Sequence, residues 1–454
     1  MKMQFRHMTL GRVLGLAALT CLLPLAQVTA KPMVRVGGLV RSGAGSAPTD
    51  AECRAAGFGQ CYSPQEIRTA YGLNKLIDAG QIGSGQTIVL IESFGSPTAA
   101  ADLHIFDQDY GLPDPPSLKV LAPLGTVPFD PTDSTQVGWA FETTLDVQWA
   151  HAIAPGAAII VLTSPVAETE GVQGLPEFLA LERYALDHHL GKIISQSWGA
   201  TENTLFDAAG RDVLADFSEF YEQARREHVT VLASSGDSGS SNVGLDGVTI
   251  YPFPTVGFPA SSPLVTAVGG TSLYADTSGH YQSETVWNES ALGGGAGGGG
   301  ISQVFHEPEY QKDALPDSVQ HQLDHKRGLP DVSYNADPYT SILVYVGFLG
   351  ATNAGYYGIG GTSEGSPQWA GIVADLNQYA GRPLGFLNRA LYATGGNGHF
   401  SQIGRDITVG NNAYNGVPGY SATAEWDLAT GWGTPNLDKV LSRAIELLDP
   451  TEDD

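Results

Sequence analysis

Val231-Leu232-Ala233-Ser234-Ser235-Gly236-Asp237-Ser238-Gly239 is a short apolar run that ends in a Gly-Ser turn with a carboxylate at its tip. Just before it, Arg211 to His228 carries Val213, Leu214, Phe217, Phe220, Tyr221 and Ala224 on one face at helical spacing. An amphipathic helix feeding a buried strand is one half of an α/β unit. The same texture recurs outward in both directions. Apolar, β-branched runs lie at Ile88 to Ile91, Ala158 to Leu162, Lys192 to Ser197, Leu264 to Val268 and Ile342 to Val346, and helical patterns lie at Gly138 to His151 and Pro176 to Leu190. Strands alternating with helices predict an α/β fold with a parallel sheet covered on both faces. No repeat or low-complexity linker divides residues 63 to 449, so a single large domain is expected.

Composition narrows the function classes. The 454 residues include 48 Asp or Glu and 23 Lys or Arg, for a formal charge of −25. A surface dominated by carboxylates repels phosphates, which argues against nucleic acid as a partner. Charged residues are only 16% of the chain, below the usual figure of about 25%, so the acidity comes from scarce bases. Near pH 4 roughly half of the acids would be neutral, and the chain would carry little net charge. Scarce bases suit a protein that works in acid.

Residues 1 to 30 read as an export signal: Lys2, Arg6 and Arg12, then the apolar run Val13 to Ala26, then the small residues Val28-Thr29-Ala30 before a cut. Cys21 lacks the small residue directly ahead of it that a lipid-attachment site needs. No later stretch holds 18 uninterrupted apolar residues, so no membrane association is expected after cleavage. A secreted, extracellular or periplasmic, protein is expected, and a monomer. Residues 31 to 60, rich in Gly, Ser and Ala, predict a flexible arm, with the main domain over 61 to 454. Cys53 and Cys61 suit a short-loop disulfide in an exported chain, free thiols being the alternative.

Three segments carry chemistry. Gly360-Gly361-Thr362-Ser363-Glu364-Gly365-Ser366-Pro367 leads into a helical run from Gln368 to Tyr379, placing Ser363 at a helix N-terminus where developing negative charge is favoured. The position suits a nucleophile, or a serine that only caps the helix. No H-G-T-H-type segment places a histidine base. His188 and His189 fall late in an amphipathic helix, and His151 ends another. Glu142 and Asp146, at i and i+4, share one helix face. Buried together, such a pair would share a proton, with one pKa raised; exposed, they would be two solvated carboxylates. Asp237 either closes its own turn or, when protonated, donates a hydrogen bond to a reacting carbonyl.

Taken in this order and separation, the E-x-x-x-D helix, the S-S-G-D turn and the G-T-S-x-x-S-P segment resemble the sedolisin family, the serine-carboxyl peptidases. Gly293 to Ser302, Arg327 to Ser333 and the Trp426-Asp427 and Thr430 to Pro435 segments extend the resemblance over most of the chain from Cys61 to Leu448. The resemblance implies a subtilisin-like α/β fold and peptide-bond hydrolysis in acid, with polypeptides as substrates. It implies Ser363 as nucleophile, Glu142 as general base, Asp146 orienting Glu142 and holding the shared proton, and protonated Asp237 as oxyanion donor. Glu92 and Trp198 stand where some members extend the proton chain. It also implies one calcium ion, held by the side chains of Asp406 and Asp427 and the carbonyls of Ile407, Thr423 and Glu425.

The chain departs from the family pattern in four ways. Only Lys31 to about Gln60 stands where the family has a long prosegment. Glu364 and Gly365 replace the usual Ala and Ser after the nucleophile, Thr143 stands where Trp is frequent, and Thr423 and Glu425 stand where glycines are usual. Two other expectations therefore remain beside the peptidase. One is a subtilisin-type enzyme with a histidine on Ser363, and the other a catalytically impaired, calcium-stabilised binding or structural protein.

Overall fold

The structure is a computed structural model, and it describes residues 34–42 and 46–439. The expected export signal lies outside the described residues. Eight strands form the main sheet, in the spatial order Tyr281–Val286, Thr266–Ala275, Thr230–Ser234, Ile193–Gln196, Thr87–Ser93, Ala158–Ser164 and Leu118–Leu121, with Val332–Asn335 also pairing to Thr266–Ala275. Every pairing is parallel except that of Tyr281–Val286. Both faces are covered, which is why Ile88, Val89, Leu90 and Ile91 are all buried without alternation.

One face is covered by two long helices, Ser134–Ile153 and Gly365–Ala380, packed against each other. Asp133 caps the first by accepting from the amides of Thr135 and Gln136. Gly371 sets their approach, since a Cβ there would lie 2.6 Å from the Ile153 side chain. From Trp139 to Ile153 the first helix is buried all round. Any carboxylate on it is therefore taken out of water. The opposite face carries Leu175–Asp187 and Ala208–Arg226, the latter burying the six residues of its predicted apolar face.

Two expectations are corrected. Ile342 to Val346 is a strand, but Thr340–Val346 belongs to a separate four-stranded sheet, antiparallel to Gly355–Gly360 and parallel to Gln60–Tyr62. The arm is not loose either. Arg35–Val40 is the fourth strand of that sheet, antiparallel to Gly355–Gly360, and Asp50–Ala55 is a helix closed by a Thr49–Glu52 capping box. Cys53 and Cys61 form a disulfide. Composition suggested disorder, but edge pairing and a cross-link order the segment, and neither leaves a local periodicity.

Candidate active site

Strand Gly355–Gly360 ends at Gly361, whose φ of 106° turns the chain into a single 3-10 turn, Thr362–Glu364, before helix Gly365–Ala380 begins. Ser363 sits in that turn and is fully buried. Helix Ser134–Ile153 brings Glu142 to it. The serine hydroxyl reaches the carboxyl closely enough to favour its ionised form. Ser363 Oγ and Glu142 Oε1 nevertheless complete no hydrogen bond among the described residues. The other carboxyl oxygen, Oε2, is occupied: the backbone N–H of Val34, just ahead of the arm strand, donates to it at 2.8 Å.

Behind Glu142 the acids are stacked without a cation. Asp146 Oδ2 accepts from Ser197 Oγ at 2.8 Å, and Thr143 Oγ1 donates to Glu92 Oε2 at 3.3 Å. The carboxyls of Asp146 and Glu92 lie close enough to act on each other, although Asp146 Oδ1 and Glu92 Oε1 complete no hydrogen bond among the described residues. Burial pushes all three upward. Glu92 and Glu142 rise well above the carboxylate range, each raised further by the Asp146 charge, and Asp146 is pushed up to about 8. The pair at i and i+4 is thus buried together and not solvated.

Asp237 closes the site from the other side. Its Oδ1 accepts from Thr362 N at 2.8 Å and Thr362 Oγ1 at 2.9 Å, while Gly236 N donates to Thr362 Oγ1 at 3.0 Å. The Asp237 turn and the Ser363 turn are latched together through Thr362. Arg35 Nε donates to Asp237 Oδ2 at 3.2 Å, and Arg35 Nη2 to the Asp237 carbonyl at 3.3 Å. Burial holds the Asp237 carboxyl above its ordinary range even though Arg35 and Thr362 pull it down. A cleft of about 660 Å³ opens here, walled by Asp237, Glu170, Gly199 and Gly293 and by Val34 to Val36 of the arm.

Known proteins resemble this chain over most of its length. The family model described as "Subtilase family" matches residues 136–389. Kumamolisin of Bacillus sp. (strain MN-32) is 35% identical over 376 residues, covering 82% of this chain and 62% of kumamolisin. Sedolisin of Pseudomonas sp. (strain 101) is 30% identical over 439 residues, covering 95% of this chain and 66% of sedolisin. The solved structure of Pseudomonas sedolisin, a serine-carboxyl proteinase complexed with pseudo-iodotyrostatin, superposes with a TM-score of 0.68 at 30% identity, over 85% of this chain and 98% of that one. The chain belongs to the sedolisin family. The subtilisin-like α/β fold follows, and the chain spans somewhat under two thirds of the length of these two curated relatives.

Within this member of the sedolisin family, the sequence-derived residues divide. Ser363, Glu142, Asp146, Asp237 and Glu92 converge on one site. Trp198 does not join the proton chain: its indole N–H has no hydrogen-bond partner among the described residues, and its ring lies in the core 4.7 Å from Phe178 and 6.0 Å from Phe217. Ser197, one residue earlier, supplies the hydroxyl instead. No histidine bonds to Ser363 among the described residues, so the histidine-dependent expectation loses its support. His188 and His189 are exposed, and His151 is buried against the Pro113 carbonyl at 2.8 Å. Thr143 faces inward to Glu92, not outward to substrate. The sequence motifs single out neither Thr362 nor Arg35 as a site residue. The G-T-S motif could have pointed to the first, but only tertiary pairing brings in the second.

In the C-terminal loop, Asp406 Oδ2 accepts from Glu425 N at 2.8 Å and Asp427 Oδ2 from Thr423 N at 2.8 Å; Asp427 Oδ1 takes the amides of Ala429 and Thr430 at 2.8 and 2.9 Å. Glu425 adopts φ 67°, the left-handed region that favours glycine. Neither acid has an ion-pair partner, and the carbonyls of Ile407, Thr423 and Glu425 accept no hydrogen bond, among the described residues. Two oxyanions and three free carbonyls on one loop fit a hard divalent cation, although no cluster of three or more acidic, His or Cys side chains exists among the described residues.

Proposed function

We propose that the chain is an exported serine-type endopeptidase that works in acid and cleaves polypeptides through an acyl-enzyme. The observation that carries this reading is the convergence on Ser363 of an interacting Glu142 and an Asp237 latched to the neighbouring Thr362. Ser363 Oγ attacks the scissile carbonyl carbon while Glu142 takes the hydroxyl proton. The C–N bond then breaks as the same proton passes from Glu142 to the leaving amine. Water, deprotonated by Glu142, attacks the ester carbon, and the proton returns to Ser363 as the acid product leaves.

Asp237 suits the oxyanion role only in its neutral form, since a carboxylate there would repel the developing charge. Burial favours that form. When Asp146 and Glu92 behind it are both protonated, Glu142 can ionise without a second buried charge against it. Calcium, held by Asp406 and Asp427 with the carbonyls of Ile407, Thr423 and Glu425, would tie the C-terminal loop to the body of the fold.

In the structure the arm uses atoms that the reaction needs: Val34 N–H engages the base, and Arg35 engages the oxygen of Asp237 that must carry a proton. Turnover requires both contacts to part. The reading is tested by peptide hydrolysis across pH 3 to 8 with the full chain and with Ser363→Ala. Activity is expected in acid and a loss of at least about 10³-fold in the variant; undiminished hydrolysis by Ser363→Ala would sink it. The occupied cleft favours one second reading, a calcium-stabilised binding protein, which predicts no turnover at any pH and unaltered calcium-dependent stability.

A further inference from the structure

Glu364 follows the nucleophile directly, at a position where the family resemblance leads one to expect alanine. It does not face solvent: it is fully buried. Asn335 Nδ2 donates to its Oε1 at 2.9 Å, while Oε2 has no hydrogen-bond partner among the described residues. Asn335 is itself immobilised. Its Nδ2 also reaches Thr340 O at 2.7 Å, its Oδ1 accepts from Leu273 N at 2.9 Å and Thr340 Oγ1 at 3.1 Å, and its own N–H donates to Tyr71 OH at 2.9 Å. The Glu364 carboxyl is thereby moored to a point that joins both sheets.

Gln368, one helical turn on, donates from Nε2 to the Glu364 carbonyl at 3.0 Å and lies within reach of the Glu364 carboxyl. Its Oε1 is a buried acceptor without a partner among the described residues. The titratable groups acting on Glu364 are acids or phenols: Glu284 from strand Tyr281–Val286, Asp337 beyond strand Val332–Asn335, and Tyr334 on that strand, with Tyr62 and Tyr71 from the segment before the main sheet. Arg405 acts on Glu284, and no ion pair reaches Glu364 among the described residues. An ionised Glu364 would be a buried charge with one oxygen unsatisfied, a strongly disfavoured condition. A neutral Glu364 carries an O–H on Oε2, the donor that Gln368 Oε1 lacks.

We propose that Glu364 is a proton-dependent positioning residue for Ser363: as a neutral acid it pins the nucleophile turn between Asn335 and Gln368, and its ionisation as pH rises releases the turn. The inference rests on the peptidase reading for its kinetic consequence and on the fold alone for its structural one. The carboxyl lies above its ordinary range chiefly through burial, so the folded state holds a proton that the unfolded state has released. Its stabilisation is complete below the usual glutamate range and is lost as pH rises.

The test compares Glu364→Gln, which keeps the shape and the donor but cannot ionise, with Glu364→Ala. The alanine variant is expected to lose about tenfold or more in kcat with KM nearly unchanged, as befits a misplaced nucleophile. The glutamine variant is expected to recover most of that loss and to move the alkaline limb of kcat upward by about one pH unit or more. In the Ser363→Ala background, adding Glu364→Gln should flatten the fall of Tm between pH 5 and 8. An unmoved alkaline limb together with an unmoved Tm slope overturns the proposal. If no variant hydrolyses peptide, the peptidase reading fails and the Tm comparison still decides the role of Glu364. Should the glutamine variant not fold, the alanine variant's Tm slope decides in its place.

Discussion

Two pairs of carboxylates in this molecule are held by opposite means. In the C-terminal loop, Asp406 and Asp427 are met by backbone amides, four in all from Thr423, Glu425, Ala429 and Thr430. Behind Ser363, Glu142 and Asp146 sit on a helix whose amides are spent within the helix, so hydroxyls, other acids and the arm are what remain to meet them. A loop can turn its N–H groups toward an anion and leave its carbonyls for a cation. A buried helix cannot, so its acids must keep protons. The backbone around a carboxylate thus decides whether the site fits a metal or acid-base chemistry.

The sharpest way to break that comparison is to remove the proton-sharing side. Glu142→Gln preserves size and the Val34 contact but cannot accept a proton, and kcat is expected to fall by about 10³-fold or more with KM little changed. Retention of more than a tenth of kcat would mean that another group is the base. The same acids predict the pH dependence of stability. Burial pushes the Asp146 carboxyl up from its ordinary range to about 8 on folding, so its contribution is fully present below about pH 4 and is lost as pH rises through 8. Thermal unfolding of Ser363→Ala should therefore show the highest Tm in acid and a decline toward pH 8. A Tm that rises over that interval would contradict the protonated cluster.

The loop side is broken by a chelator. If calcium binds as proposed, its removal lowers Tm, with a stabilisation of about 2.7 kcal/mol expected at a calcium concentration one hundredfold above Kd. Asp427→Asn should abolish the calcium-dependent increment and leave the activity of the folded enzyme largely intact. No Tm change on chelation, with the Asp427→Asn chain equally stable, would make the loop a closed hydrogen-bonded turn.

Legibility in the sequence followed the range of the interactions. Five main-sheet strands and the longest helices are readable because each carries its burial pattern locally, as with Val213 to Ala224, whereas Leu118–Leu121, Tyr281–Val286 and Val332–Asn335 are not. Ser363, Glu142, Asp146 and Asp237 were readable because short motifs hold them at strand-to-helix boundaries or on a helix face. Strand Thr340–Val346 was recognised, but its sheet was not, because an apolar run does not name its neighbour. Trp198 was misread for a related reason: its place in the chain matched a proton relay, while its ring is claimed by Phe178 and Phe217 on other elements. The arm was least legible. Nothing in Val34 to Val40 predicts pairing with Gly355–Gly360, since the template lies more than three hundred residues away.

That distant pairing yields the smallest and most discriminating prediction. Arg35 supplies the only cation ion-paired to an acid of the candidate active site among the described residues, and its side chain is 41% exposed, so the contact is partly screened and weak in itself. Its effect is directional. Ionised Asp237 is stabilised by the guanidinium, so Arg35 works against the neutral form that burial favours and that the proposed oxyanion role needs. Arg35→Ala should therefore raise kcat/KM severalfold near the upper end of the active pH range, where protonation of Asp237 is limiting, and change it little in strong acid. A uniform increase at all pH values would mean that the arm acts by filling the cleft alone. A decrease would mean that Arg35 assists the reaction, and that the arm strand belongs to the working site and does not obstruct it.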